Sequence, residues 1–155
     1  PEWAEKAVSV SNLIKDVSEV VADLGLGEIS RELGLRVAYH DACSLQHAQR
    51  IRDQPRQLLT AAGCSVVEVP EPHLCCGSAG TYNLLEKDFA SRLLKRKTAN
   101  IEQTKPDVVA AGNIGCIEQI ARGTSIPVVH TVELLDWATG GPIPPGIQGD
   151  NSTVS

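Results

Sequence analysis

Apolar and polar residues alternate along this chain with two different periods, which predict alternating helices and strands. Between residues 9 and 22 the apolar side chains recur every three or four positions, as one face of a helix requires. This pattern predicts one helix over 9–22, with a break after it at Gly25 and Gly27. Short runs rich in β-branched residues predict four strands, at 35–39, 64–69, 107–111 and 126–130.

Helix signals separate these strands. Pro55 suits the first turn of a helix and Gly63 suits a left-handed C-cap, so we expect a helix over 53–62. Thr131 is the expected N-cap of the last helix. The remaining predicted helices lie at 86–103, 115–121 and 132–138. Strands that alternate with helices predict an α/β, Rossmann-like fold in three layers, with a mostly parallel sheet of about four strands and helices on both faces.

The length of 155 residues and the hydrophobic content of 42% suit a single core. We expect 1–34 to be an N-terminal helical segment packing on the domain, 35–139 to be the α/β domain, and 140–155 to be a flexible tail. Pro127 predicts that the fourth strand lies at an edge of the sheet. The sequence contains no Met, which predicts that it is a piece of a longer polypeptide.

Charge and cysteine content narrow the possible functions. A formal net charge of −5 gives no basic field for nucleic acid, so no nucleic-acid partner is expected. Neither an apolar run long enough to span a membrane nor a secretion signal is present, so we expect a cytoplasmic chain. Five cysteines, an odd number and widely spaced, fit poorly with a disulfide scaffold. They suit metal binding or redox chemistry better.

Four of the cysteines follow the ends of three predicted strands. Cys43 follows the first strand, Cys75 and Cys76 follow the second, and Cys116 follows the third. Because loops beyond the carboxyl ends of parallel strands converge on one edge of the sheet, we expect the four sulfurs to meet there. Gly77 leaves room for the backbone to approach a bound cluster and offers an amide donor to its sulfurs.

The adjacent pair Cys75 and Cys76 suits the separate irons of a cluster better than one ion, which the pair would chelate only through a strained ring. This favours an iron-sulfur cluster, while a tetrahedral four-cysteine zinc site remains an alternative. Unrelated buried thiols, or a disulfide between Cys75 and Cys76, are the structural alternatives. Cys64 lies within a predicted strand and is expected to pack in the core.

Other polar residues near the cysteines have simpler expected roles. His40 and His73 flank the cysteine loops and are candidates for metal ligands or for hydrogen-bond donors to the ligands, but a loop histidine is more often solvated or capping. His130 is expected to end its strand with a structural hydrogen bond. The run Lys-Arg-Lys at 95–97 on the long predicted helix is expected to be a solvated face.

These motifs together resemble the cysteine-rich "CCG" domain family, and most resemble the C-terminal part of glycolate oxidase iron-sulfur subunits. The resemblance is carried by Tyr-His-Asp-Ala-Cys at 39–43, Cys-Cys-Gly-Ser-Ala-Gly at 75–80, Asn-Ile-Gly-Cys at 113–116 and the segment 130–137. Asn113 stands where the fullest family pattern has a further cysteine. The resemblance therefore implies a [4Fe-4S] cluster on four cysteines, rather than a cluster that needs five.

The resemblance also implies a function and partners. We expect an electron-transfer domain, without catalytic residues of its own, in a complex that oxidises glycolate or another 2-hydroxy acid. Its partners would be a flavin-containing oxidising subunit and the remainder of its own longer chain, with electrons passing on to an acceptor at the membrane and the complex associated peripherally with it. The alternatives are a structural zinc module of the same kind of complex and a thiol-disulfide redox enzyme using Cys75 and Cys76.

Overall fold

Residues 3–148 are described by a computed structural model. The strands are β1 (Arg36–His40), β2 (Ser65–Val67), β3 (Val108–Ala111) and β4 (Val128–His130). They form one sheet in the order β2-β1-β3-β4, and every pair is parallel. The predicted α/β fold is confirmed, and β4 lies at an edge of the sheet, as Pro127 predicts.

The described part of the chain contains seven α-helices. They are α1 (Ala4–Leu13), α2 (Val17–Leu24), α3 (Asp53–Ala61), α4 (Tyr82–Leu85), α5 (Lys87–Gln103), α6 (Ile114–Ala121) and α7 (Thr131–Ala138). A π-helical segment, Ser44–Gln49, follows β1 and was not predicted by the pattern. Between residues 3 and 148, no helix combines the length and the apolar character needed to cross a membrane.

The sheet separates two hydrophobic cores. Because side chains alternate along a strand, Val37 of β1 lies in one core while its neighbour Ala38 lies in the other. The first core also contains residues of α3 and α7, such as Leu59 and Leu134. The second contains residues of α5 and α6, together with Cys76 and Cys116. Helices thus cover both faces, and two of the cysteines belong to the α5 and α6 side.

The single helix predicted over 9–22 is wrong, because the structure has two helices there with a break between Leu13 and Val17. The Asp16 carboxylate accepts a hydrogen bond from the Ser18 amide at 2.9 Å, and the Asp16 amide donates to the Glu19 carboxylate at 2.9 Å. These two bonds form an N-terminal cap for α2, and they compete with continuation of the preceding helix.

The N-cap of α7 also differs from the expectation. His130, rather than Thr131, caps this helix: its Nδ1 accepts from the Val132 amide at 3.2 Å. The Glu133 carboxylate accepts from the His130 amide at 2.7 Å. The predicted structural hydrogen bond of His130 is therefore present, and it performs the capping role assigned to its neighbour.

The segment that follows α7 is partly packed on the domain. Pro144 is fully buried, and Ile147 packs against the first core. The tail predicted over 140–155 thus begins with ordered contacts, and its part at 149–155 lies outside the described residues. The division of the chain at 34 and 139 remains a prediction.

Candidate metal centre

The four cysteines that follow strand ends meet in one cavity. β2, β1 and β3 are neighbours in the sheet, so the loops after them leave its carboxyl edge side by side. A cavity of about 330 Å³ is lined by Cys43, Cys75, Cys76 and Cys116. The structure therefore brings together the four thiols that the sequence singled out. Their binding of a metal remains a prediction.

The thiols differ in their access to solvent. Cys76 and Cys116 are buried, whereas Cys43 and Cys75 are half-buried at the open side of the cavity. All five cysteines are free, so the alternative disulfide between Cys75 and Cys76 is not formed. Cys64 packs in the first core, on the other face of the sheet, as its position in the sequence predicts.

Helix α5 holds the loop that carries Cys75 and Cys76. Asn100 Nδ2 donates to the Pro70 carbonyl at 3.0 Å, and Lys97 Nζ donates to the Glu71 carbonyl at 3.2 Å. Arg96 Nε donates to the Glu71 carboxylate at 2.8 Å. Glu71 has a left-handed φ of 54°, which is uncommon for a residue with a side chain. The three contacts from α5 hold the loop in this conformation.

Packing against α5 requires a glycine at position 77. Its φ is 92°, and a Cβ atom at this position would lie 2.6 Å from the Ala90 carbonyl oxygen in α5. The role of Gly77 in the approach of the backbone to a cluster remains a prediction. The Gly77 amide donates to Cys75 Sγ at 3.3 Å, so the expected amide donor to sulfur is present.

Asn113 and α6 position Cys116. Asn113 is the N-cap of α6, and its Oδ1 accepts a hydrogen bond from the Cys116 amide at 3.1 Å. This places Cys116 in the first turn of the helix, with its sulfur at the cavity. The Asn113 carboxamide also lines the cavity, but its oxygen is already used in capping the helix.

Burial and the neighbouring thiols shift the pKa values of the four cysteines, raising three of them and lowering one. Burial raises the pKa of Cys43, and the neighbouring Cys76 thiol raises the pKa of Cys75. Interaction with the Cys116 thiol raises the pKa of Cys76 to about 11, and the same interaction lowers the pKa of Cys116. Backbone hydrogen bonds act in the opposite direction and lower the pKa values of Cys43, Cys75 and Cys76, but they do not outweigh burial and the neighbouring thiols. Metal binding would have to displace these protons.

His40 is buried beside the cysteines, which corrects its expected role as a solvated or capping residue. Its side chain is 2% exposed, and a ring nitrogen lies within 4.8 Å of the sulfurs of Cys76 and Cys116. Burial lowers the pKa of His40 to about 4, so the ring is neutral at pH 7. Neither ring nitrogen has a hydrogen-bond partner among the described residues. His73, in contrast, is exposed as expected.

Lys97 corrects the expectation of a solvated charge run at 95–97. Lys95 and Arg96 are exposed, but Lys97 is 1% exposed because it lies on the same stripe of α5 as the buried Ala90 and Ile101. Its one hydrogen bond to another residue in 3–148 goes to the Glu71 carbonyl. Burial lowers the pKa of Lys97, while Asp41 and the cavity thiols act to raise it.

These residues fit a thiolate-bound metal group. Thiolate sulfur is the donor preferred by zinc, copper(I) and iron-sulfur clusters. A buried ammonium group at Lys97 can balance the negative charge of several thiolates, and the unpartnered imidazole of His40 can accept a partner at the site. The position of Lys97 on the buried stripe of α5 was a usable sequence signal. The sequence pattern did not indicate that His40 would be buried without a hydrogen-bond partner in 3–148.

The sequence of the chain is similar to a known domain family and to known proteins. A sequence model described as "Cysteine-rich domain" (CCG) matches residues 37–121. The chain is 35% identical to the glycolate oxidase iron-sulfur subunit of Escherichia coli (strain K12), covering 88% of this chain and 33% of the relative. It is 31% identical to the probable glycolate oxidase iron-sulfur subunit of Bacillus subtilis (strain 168), covering 90% and 34%.

A third relative has a different name. Lactate utilization protein A of Oceanobacillus iheyensis is 27% identical to the chain, which covers 62% of that protein. The chain thus spans about a third of the two glycolate oxidase subunits and less than two thirds of the lactate utilization protein.

Proposed function

The chain belongs to the cysteine-rich (CCG) domain family, and on this premise we propose that it is an iron-sulfur electron-transfer domain. Its cluster would be bound by Cys43, Cys75, Cys76 and Cys116. The observation that carries the proposal is the meeting of four free thiols, from three adjacent strand ends, in one cavity. The relatives named as iron-sulfur subunits support iron and sulfide as the occupant.

Four cysteines are the ligand number of a [4Fe-4S] cluster, in which each iron takes one thiolate. The two adjacent cysteines, Cys75 and Cys76, can then bind different irons. Since the Asn113 oxygen caps α6, we expect no fifth protein ligand from that position. We therefore propose a [4Fe-4S] cluster.

The surrounding residues set the environment of the bound sulfurs. When bound, the cluster supplies a reversible one-electron change. The Gly77 amide donates to the Cys75 sulfur, and the Lys97 ammonium places a positive charge near the thiolates. Both interactions favour the more negatively charged, reduced form, so they raise the reduction potential. Cys43 and Cys75 lie at the open side, where a partner can approach.

The names of the relatives suggest the wider reaction. Glycolate and lactate are both 2-hydroxy acids, so we propose that the complex oxidises a substrate of this class. A flavin-containing partner subunit would take two electrons and two protons from the substrate and pass the electrons on singly. This domain would relay them towards an acceptor at the membrane, with the complex bound peripherally there. The domain itself would bind no 2-hydroxy acid.

Metal and sulfide analysis of protein purified without oxygen tests the proposal. We expect about four iron atoms and about four acid-labile sulfides per chain, the content of one [4Fe-4S] cluster. A sample exposed to air serves as the control, in which iron and sulfide should decrease together. One zinc per chain without iron or sulfide would contradict the proposal and would indicate a structural metal site.

A further inference from the structure

His40 is a buried polar side chain with no hydrogen-bond partner among residues 3–148. It is 2% exposed, and both of its ring nitrogens lack hydrogen bonds. A neutral imidazole has one N–H donor and one acceptor nitrogen. A buried donor left without an acceptor costs about 1–3 kcal/mol, so an isolated buried histidine requires an explanation.

The charged groups nearest to His40 are already engaged. The Asp41 carboxylate accepts two hydrogen bonds from Arg56, at 2.8 and 2.7 Å. Lys97 donates to the Glu71 carbonyl, and as an ammonium it offers no acceptor to an imidazole N–H. The sulfurs of Cys76 and Cys116 lie within 4.8 Å of a ring nitrogen, so they are polar atoms available to the ring.

A thiol and a thiolate differ as hydrogen-bond acceptors. A neutral thiol is a weak hydrogen-bond acceptor, whereas a cysteine that binds a metal does so as a thiolate. Metal binding removes the proton and leaves an anionic sulfur. Hydrogen bonds to an ionised acceptor are about twice as strong as neutral ones. The ring nitrogen already lies within 4.8 Å of this sulfur, so a short approach makes the bond.

We propose that, in the metal-bound protein, His40 donates a ring N–H hydrogen bond to a thiolate sulfur, that of Cys76 or Cys116, and thereby raises the reduction potential of the centre. This inference rests on the proposed iron-sulfur function. Four cysteines already supply one ligand to each iron of a [4Fe-4S] cluster, which favours His40 as a donor to sulfur over a fifth ligand. His40 is thus a positioning residue that acts through the sulfur.

Potentiometry on anaerobically purified protein tests the proposal with matched variants. His40→Leu removes the donor, and we expect an about tenfold shift towards the oxidised form at a fixed potential, equal to ~59 mV for one electron. His40→Gln keeps an amide donor and should restore much of the difference. His73→Leu changes an exposed histidine near the same cysteines and should have no effect. A His40→Leu potential equal to that of the unmodified protein would overturn the proposal.

Pulsed electron paramagnetic resonance on unmodified protein labelled with ¹⁵N-histidine also tests the proposal. It uses no substituted protein, so its result does not depend on whether a variant folds. We expect weak coupling of one histidine nitrogen to the reduced cluster, as a hydrogen bond to sulfur produces. Absence of histidine coupling, or strong coupling typical of direct ligation to iron, would overturn the inference while leaving the iron-sulfur function intact. Absence of any cluster in the iron and sulfide analysis would overturn the proposed function and this inference with it.

Discussion

Asp41 and His40 are neighbours in the chain at the end of β1, and both are buried, yet their surroundings are opposite. Asp41 is 6% exposed, and both of its oxygens accept hydrogen bonds from Arg56. Arg56 also bonds Glu68 at 3.0 Å and lies over the Tyr39 ring, 4.9 Å from its centroid. The His40 ring, in contrast, makes no hydrogen bond within the part of the chain that the structure describes.

This difference distinguishes the structural region around Asp41 from the proposed metal site around the cysteines. The Asp41 carboxylate is neutralised and bonded within the protein, which identifies it as a structural interaction. On the cysteine side, His40 and Lys97 are buried with most of their hydrogen-bonding capacity unused, and four thiols stand beside them. We propose that the partner of these two side chains is an anionic, thiolate-bound centre. Changes on the Asp41 side should therefore alter stability, and changes on the cysteine side should alter metal content and potential.

The largest expected effect is loss of the cluster from Cys76→Ala. Cys76 is a proposed ligand, so this variant should contain little or no iron and sulfide after purification without oxygen. Cys64→Ala is the matched control, because Cys64 is also buried but packs on the opposite face of the sheet. It should keep its iron and lose about 1 kcal/mol of unfolding free energy. A Cys76→Ala protein with full iron content would contradict the assignment of the ligands.

A smaller effect, on stability alone, is expected on the scaffold side. Asp41→Asn leaves the Arg56 guanidinium with a weaker partner and should lower the unfolding free energy by about 3 kcal/mol, as measured by urea denaturation. Glu68→Gln is the control: Glu68 bonds the same arginine, but it is 69% exposed, so its loss should cost less than about 1 kcal/mol. Equal losses in the two variants would show that burial does not distinguish these two carboxylates.

The smallest effect is expected from Lys97→Met, which removes a buried positive charge and keeps the length of the side chain. One unit charge at a separation of about 10 Å and an effective dielectric constant of about 20 contributes roughly 1.7 kcal/mol. The reduction potential should accordingly fall by roughly 70 mV, whereas the metal-free protein should be equally stable or more stable. Lys95→Met, on the exposed side of the same helix, should leave the potential unchanged.

The sequence predicted the four strands, the parallel sheet and the convergence of the cysteine loops, because these depend on local pattern and on the direction of the strands. It did not predict the break before Asp16, where a local capping bond competes with helix periodicity. The prediction that Lys97 is solvated was wrong, because it relied on the charge of the run and not on the position of Lys97 on the buried stripe of α5. The isolation of His40 depends on residues distant in sequence, including Arg56 and Glu71, which engage its charged neighbours.

A redox titration followed by electron paramagnetic resonance tests the central claim most directly. Protein purified without oxygen should show, on reduction, a signal of one paramagnetic iron-sulfur cluster that appears and disappears reversibly as the potential is changed. The signal should persist in Cys64→Ala and vanish in Cys76→Ala. A protein that contains stoichiometric zinc and shows no paramagnetic signal at any potential would contradict the assignment of electron transfer to this domain.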